Sequence, residues 1–171
     1  MAKGDLVGRM IGAATLNIQT YEEVEADSTA TGQAAAVVAM VAVASGIGAA
    51  GDGLSAALLA PVWALLGWLI WAGVTYLIGD KILGGTATWG ELLRTLGFAQ
   101  APGVLYLLAF LPIVGWILGM VLPFWMLATG IVAIRQALDF GTGKAILTAV
   151  LGWIAMLLPA ILFGGAMFLG Q

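Results

Sequence analysis

The chain of 171 residues is 62% apolar and only 9% charged, with a formal net charge of -3; a soluble domain carries about 25% charged residues, so the surface suits lipid rather than water. Cysteine and histidine are both absent, which excludes disulfides, Ser-His-Asp and Cys-His catalysis and the usual ligand sets of haem, iron–sulfur and zinc centres, so no catalytic residue, metal or cofactor is expected. The six Lys and Arg residues are scattered and form no patch that would track phosphates, so nucleic acid is not an expected partner.

In chain order, residues 1–31 read as a cytoplasmic or interfacial segment with short amphipathic helices. Leu6, Val7, Met10, Ile11 and Ala14 share one helical face, with Gly8, Arg9 and Gly12 opposite, the pattern of a helix lying on a membrane surface. Thr20 and Glu23 have capping-box spacing, which predicts a second short helix from Thr20. Asp5, Glu22, Glu23, Glu25 and Asp27 interrupt the segment, and no uninterrupted apolar stretch follows Lys3 and Arg9, so a cleavable signal peptide is not expected.

Charge-free runs then cover Ser28–Gly51, Gly53–Gly79, Thr95–Ile134 and Ala145–Gln171. A helix needs about 20 residues to cross the hydrocarbon core. The run of 40 residues from Thr95 fits two helices divided at Leu111-Pro112-Ile113-Val114-Gly115, where proline ends one helix and glycine tolerates a reversal. The fold expected is therefore all-α, a polytopic membrane helix bundle in residues 32–171 with about five transmembrane helices at 32–50, 55–79, 91–111, 115–137 and 145–168. The segment 91–111 is the shortest, and Pro102 interrupts it, so a re-entrant segment competes with a full span there. Five spans from a cytoplasmic N-terminus place Lys3, Arg9, Lys81, Arg94, Arg135 and Lys144 on the cytoplasmic side. Asp52, the Pro112 turn and Gln171 fall outside. This is the asymmetry of the positive-inside rule, and a re-entrant third segment would destroy it.

Lipid provides no hydrophobic drive for helix association, so small residues that allow close backbone approach mark packing faces. Candidates are Ala42, Gly46 and Ala50 in the first span, Gly115 and Gly119 in the fourth, and Ala160 with Gly164 in the fifth, where Ala145 and Ala149 also pair. Pro123 and Pro159 free the carbonyls of Gly119 and Ala155, so kinks are expected there. No charge lies within the hydrocarbon region, which speaks against a pump or ion-coupled transporter.

Polar chemistry gathers in two cytoplasmic loops. Asp80 and Lys81 precede Gly84-Gly85-Thr86 and then Glu91 with Arg94; Arg135 and Asp139 precede Gly141-Thr142-Gly143-Lys144. Glu91/Arg94 and Arg135/Asp139 have helical pairing spacings. Gly-Thr-Gly-Lys lacks the full phosphate-loop pattern and no strand precedes it. Asp80, Lys81, Glu91, Arg94, Arg135, Asp139 and Lys144 form the candidate cytoplasmic docking face. The likeness of the two loops also raises a parallel internal duplication.

The stretches Tyr76-Leu77-Ile78-Gly79, Leu83-Gly84-Gly85 through Trp89-Gly90-Glu91-Leu92-Leu93, and Leu96-Gly97-Phe98-Ala99-Gln100-Ala101-Pro102 resemble the Yip family of multi-pass membrane proteins that interact with Ypt/Rab GTPases. The likeness continues through Ile134-Arg135-Gln136-Ala137 and Gly143-Lys144-Ala145-Ile146-Leu147, and the head around Tyr21-Glu22-Glu23-Val24 and Asp27 is similar to prokaryotic-type members. The resemblance implies five membrane helices with a cytoplasmic N-terminus, and a plasma-membrane location if the chain is prokaryotic. An Asp-Leu-Tyr-Gly-Pro element before the membrane is missing, so Rab binding is not carried over, and no catalytic residue transfers.

Three functions fit these residues. The first is a non-enzymatic integral membrane protein that scaffolds partners or organises the bilayer, or serves as an accessory subunit of a larger complex. Its partners would be membrane lipids, other membrane proteins or a second copy of itself, and a cytoplasmic protein on the polar face. The alternative is a small-molecule or lipid permease without charge coupling. The third is a membrane-embedded enzyme built on Asp80, Glu91 and Asp139.

Overall fold

The computed structural model describes residues 4–169, with side chains to residue 155. Its elements are α1 (Leu6–Ala14), α2 (Ile18–Ala26), α3 (Ala30–Gly48), α4 (Leu54–Thr75), α5 (Trp89–Ala99), α6 (Pro112–Ala137) and α7 (Thr142–Leu169), and no strand occurs among the described residues. The protein is all-helical, and α3 with its extension to Asp52, α4 with its extension to Ile82, and α6 are long and apolar enough to cross a membrane.

The two short helices are held by their ends. Asp5 caps α1 by accepting from the Gly8 amide at 3.1 Å. The helix closes with Leu16 in the left-handed region at φ 63°. There the Asn17 amide donates to the Gly12 carbonyl at 2.9 Å and the Leu16 amide to Ala13 at 3.1 Å, the paired bonds of a Schellman motif. The chain is thereby positioned to start α2 at once, with Asn17 as its cap. The capping box expected at Thr20 and Glu23 does not form. In α1, Arg9 and Ala13 are buried against the rest of the protein, whereas Val7 and Ile11 of the apolar face are exposed.

Helix α3 is the central one, with Ala34, Val37, Val38, Val41, Ala42 and Gly46 all buried. A Cβ on Gly46 would sit 2.9 Å from both the Ala57 carbonyl oxygen and Pro61 Cγ of α4, so the helices approach through backbone. Ala50, expected on the same face, is exposed beyond the end of α3. Helix α4 passes into a π-helical stretch, Tyr76–Ile82.

The expected span 91–111 is not one helix. Helix α5 opens with a full capping box between Thr88 and Glu91 and stops at Ala99, and Ala101–Leu108 continues as a 3-10 helix with Pro102 in its first turn. Proline cannot donate to the carbonyl four residues back, which is why the α-helix ends there. The whole segment still travels beside α3. A Cβ on Gly97 would meet Ala34 Cβ at 2.9 Å, one on Gly103 would meet Val41 Cγ1 at 2.8 Å, and one on Gly48 would meet Ala109 Cβ at 3.0 Å. Ala34 to Gly48 is roughly 21 Å of helix axis at 1.5 Å per residue, and the broken segment covers the same length in the same direction.

Helix α6 returns antiparallel, with the Thr129 hydroxyl donating to the Ala99 carbonyl at 2.6 Å. Helix α7 then runs against α4 and α6. Trp71 of α4 is wedged between Gly130 of α6 and Gly152 of α7, each of which would clash with it if it carried a Cβ. Of the two glycines expected to pack in α6, Gly115 sits tight against the Ala109 carbonyl and Gly119 faces open space. Ala145 and Ala149 are fully buried; Pro159, Ala160 and Gly164 lie outside the described side chains. Large apolar residues such as Val43, Leu58, Val62, Ile113 and Phe124 face outward, as a surface solvated by lipid requires.

Candidate docking face

Five alternating segments bring the polar loops to one end of the bundle, together with α1 and α2. Two arginines hold that end together. The Arg9 guanidinium donates to Glu23 at 2.8 Å, to Asp27 at 2.7 Å and to Gln33 at 2.8 Å, and the Gln33 amide donates to the Gly4 carbonyl at 2.9 Å. This ties α1 to α2 and to the first turn of α3. Arg94 of α5 donates to the Val24 carbonyl at 3.1 Å and to the Glu25 carbonyl at 2.5 Å. These are last-turn carbonyls of α2 without helical partners, so a cation from another helix caps the negative end of its dipole.

The pairs expected from helical spacing do not form. Among the described residues the ion pairs are Arg9–Glu23, Arg9–Asp27 and Asp80–Lys81, the last at 2.6 Å. Glu91 instead turns back to accept from its own capping residue, Thr88, at 2.7 Å, while Arg94 is buried and directed at α2. Asp139 cannot reach Arg135 along a helix, because α6 ends between them. Asp139 has φ 52°, the Phe140 amide donates to the Arg135 carbonyl at 3.0 Å and the Asp139 amide to Gln136 at 3.1 Å. This is a second Schellman ending with a non-glycine residue in its left-handed position.

The two loops meet each other. The Thr86 hydroxyl donates to Asp139 at 2.8 Å, and Lys144 donates to the Leu83 carbonyl at 2.9 Å while lying 5.2 Å over the Phe140 ring. Lys81 lies 4.8 Å over Tyr76, whose ring meets Trp89 edge-on at 6.2 Å. Of the seven residues expected on the docking face, Arg94 is consumed internally and Glu91 is largely so. Lys81, Arg135, Asp139 and Lys144 are exposed.

Sequence reading missed the part played by α2. Burial, followed by the charges of Asp139, Glu91 and Glu22 and opposed by Arg94, raises the Glu25 carboxyl to about 7. It sits where α2, α5 and the α6–α7 turn converge. Hydrogen bonds from Thr29 and then Arg9 lower Asp27 to about 2. The acidic run from Glu22 to Asp27 was visible in the sequence; that it folds back onto the loops depends on Arg94, about 70 residues away. No group of His, Cys, Asp or Glu among the described residues has the geometry to hold a metal ion.

Elsewhere, two adjoining cavities of about 480 and 320 Å³ share Gln100, Tyr106 and Met126 as walls, and Trp71 lines the smaller. The indole N–H of Trp71 and the hydroxyl of Thr75 are buried without hydrogen-bond partners.

A family model described as the Yip1 domain matches residues 17–163. No curated protein and no solved structure matches the chain.

Proposed function

The chain belongs to the Yip1-domain family of membrane proteins, and on that footing we propose that it is a multi-pass, non-enzymatic scaffold or accessory subunit. In this reading it crosses the bilayer five times, with the N-terminus in the cytoplasm and the C-terminus outside. Residues 1–31 lie at the cytoplasmic interface and residues 32–171 form the membrane domain.

One observation carries the topology. The five segments from α3 to α7 alternate in direction, and the described basic residues Arg9, Lys81, Arg94, Arg135 and Lys144 all fall at the end where α1 and α2 sit. Positive charge at one end of alternating spans is retained on the cytoplasmic side. The chain has no cysteine, so single cysteines report location without background. Cysteines at Gly85 and Gly141 are expected to react with an impermeant reagent only from the cytoplasm, and one at Gln171 only from outside. Reaction of all three from the same side would reject five crossings.

The docking surface in this reading is the exposed set Lys81, Arg135, Asp139 and Lys144, flanked by Glu22 and Glu25. Its charges would orient a cytoplasmic partner more than they strengthen its binding. Partners that pack laterally, including a second copy, would use the lipid-facing flanks. The adjoining cavities around Gln100, Tyr106 and Met126 favour a second reading, passage of a small molecule or lipid. Solute flux through purified protein in vesicles would establish that reading over the first.

A further inference from the structure

We infer that α1 and the α1–α2 turn form a wedge in the cytoplasmic leaflet that makes the protein prefer membrane curved towards that leaflet. This rests on the five-crossing reading.

Helix α1 lies obliquely across the bundle. At its start, Gly4 and Arg9 bond to Gln33 in the first turn of α3. At its end, the Ala14 carbonyl accepts from the indole of Trp125 at 2.8 Å. Trp125 is in the middle of α6, roughly 18 Å along the axis from Ala137 at 1.5 Å per residue, and it belongs to the outward-facing apolar belt. The end of α1 and the turn that follows therefore dip beside lipid-facing surface rather than standing clear of it.

The side chains there suit acyl chains. Val7 and Ile11 are 57% and 51% exposed one turn apart on α1, and Leu16 and Ile18 at the turn are also exposed. Two of the turn's polar side chains bond within it. The Thr15 hydroxyl donates to the Ile11 carbonyl at 2.9 Å, and Asn17 accepts from the Thr20 amide. Leu16 occupies a left-handed position that glycine would fill without strain, yet its side chain is exposed. An apolar side chain at a strained, exposed position fits a surface covered by lipid.

The wedge follows from how the helices are distributed. At the α1–α2 end the bundle comprises the five segments plus two helices; at the far end only the five remain. Helix α1, with 9 residues, is roughly 13 Å long and about 10 Å wide, so lying along the leaflet it adds roughly 130 Å² to one side. Shallow, one-sided insertion of this kind is curvature-sensitive. Charge does not drive it, because Arg9 is occupied by Glu23 and Asp27 and the exposed Asp5 and Glu22 add negative charge to the surface.

The test uses the full chain with a single fluorescent cysteine at Lys3, reconstituted into giant vesicles of neutral phosphatidylcholine from which narrow tubes are drawn. An impermeant quencher separates molecules with the N-terminus outside from those with it inside. Molecules with the N-terminus outside are expected to be enriched on the tube by roughly twofold or more, and the opposite orientation depleted, as one-sided insertion requires. Val7→Ser with Ile11→Ser should bring both ratios towards one. Val43→Ser, exposed on α3, should leave them unchanged. Sorting that is equal in both orientations, survives the α1 double substitution, or appears only with anionic lipid would overturn the wedge. A wrong topology would show instead in the cysteine labelling of cells, which is independent of sorting in vesicles.

Discussion

Gly46 is a position where a single added side chain should harm the membrane domain. Helix α3 meets α4 there through backbone and a rigid ring. A Cβ would lie 2.9 Å from the Ala57 carbonyl oxygen and 2.9 Å from Pro61 Cγ, whereas ordinary contact begins at 3.4 Å. Neither neighbour can rotate away: one is main chain, the other a proline ring. Even alanine would therefore force the helices apart by about half an ångström, and leucine by more. Overpacking of this kind costs about 1–3 kcal/mol. A loss of about 2 kcal/mol in a chain of this length lowers the thermal midpoint by roughly 4–8 °C. Leu69→Ala on α4 is the comparison, because Leu69 is 43% exposed to the lipid side and its truncation leaves no closed cavity. Thermal unfolding in mild detergent, followed by size-exclusion chromatography, reads both variants. Gly46→Leu should lose its monodisperse folded peak at a clearly lower temperature than Leu69→Ala. Equal midpoints would mean that the α3–α4 contact does not hold the bundle together and that this face of α3 is free to face lipid.

Two further outcomes concern α2. Arg94→Met removes the donors to the Val24 and Glu25 carbonyls and should destabilise α2 docking by about 1–3 kcal/mol. Hydrogen exchange should quicken across Ile18–Ala26 with α3 and α6 unchanged, and unaltered protection of α2 would show that the arginine does not hold it. Glu25, raised to about 7, titrates near 4.3 when unfolded. The folded state therefore holds the extra proton between those values, and this carboxyl's contribution to α2 docking is present below about pH 4.5 and lost as pH rises to about 7. Solvent screening of a half-buried group leaves a change of about 1 kcal/mol. Glu25→Gln should flatten exchange in α2 over that pH range, and a slope that persists in the variant would assign it to another group.

The membrane character was legible because it rests on a large and simple cost, the desolvation of charge and of unpaired backbone groups. The charge-free runs accordingly match α3, α4 and α6, and small residues at Ala42 and Gly46 marked a face that is buried. What failed were arguments from spacing alone. Thr20 with Glu23 and Thr88 with Glu91 have the same capping-box pattern, yet only the second forms one. The first loses because the Schellman ending at Leu16 delivers the chain to Asn17, three residues early. Leucine rarely enters the left-handed region, so the turn at Leu16 was not readable; aspartate is among the residues enriched there, but the four-residue spacing of Arg135 and Asp139 favoured reading them as a helical pair. Arg94 had a visible local partner in Glu91 and an invisible distant one in α2. The distant one prevails because two unpaired carbonyls at a helix end are more costly to leave bare than a surface carboxylate that water already solvates.

This competition also decides which charges remain to act on anything else. A bundle end that gathers most of the chain's ionisable groups looks, residue by residue, like a broad recognition surface. Its geometry spends much of that charge on assembly: Arg9 binds α2 and α3, Arg94 caps α2, Glu91 caps α5, and Asp139 with Thr86 joins the two loops. Arg135 stands exposed near the end of α6, where its charge also complements the helix dipole, and Lys144 occupies the first turn of α7 with its ammonium group drawn towards Leu83. A partner that read this end by charge would thus meet a few cations beside the acidic rim of α2, a surface of mixed sign. Mixed sign favours register over strength. An accessory subunit held mainly by contacts within the membrane would need only such a surface, because its orientation in the bilayer is already fixed by the spans.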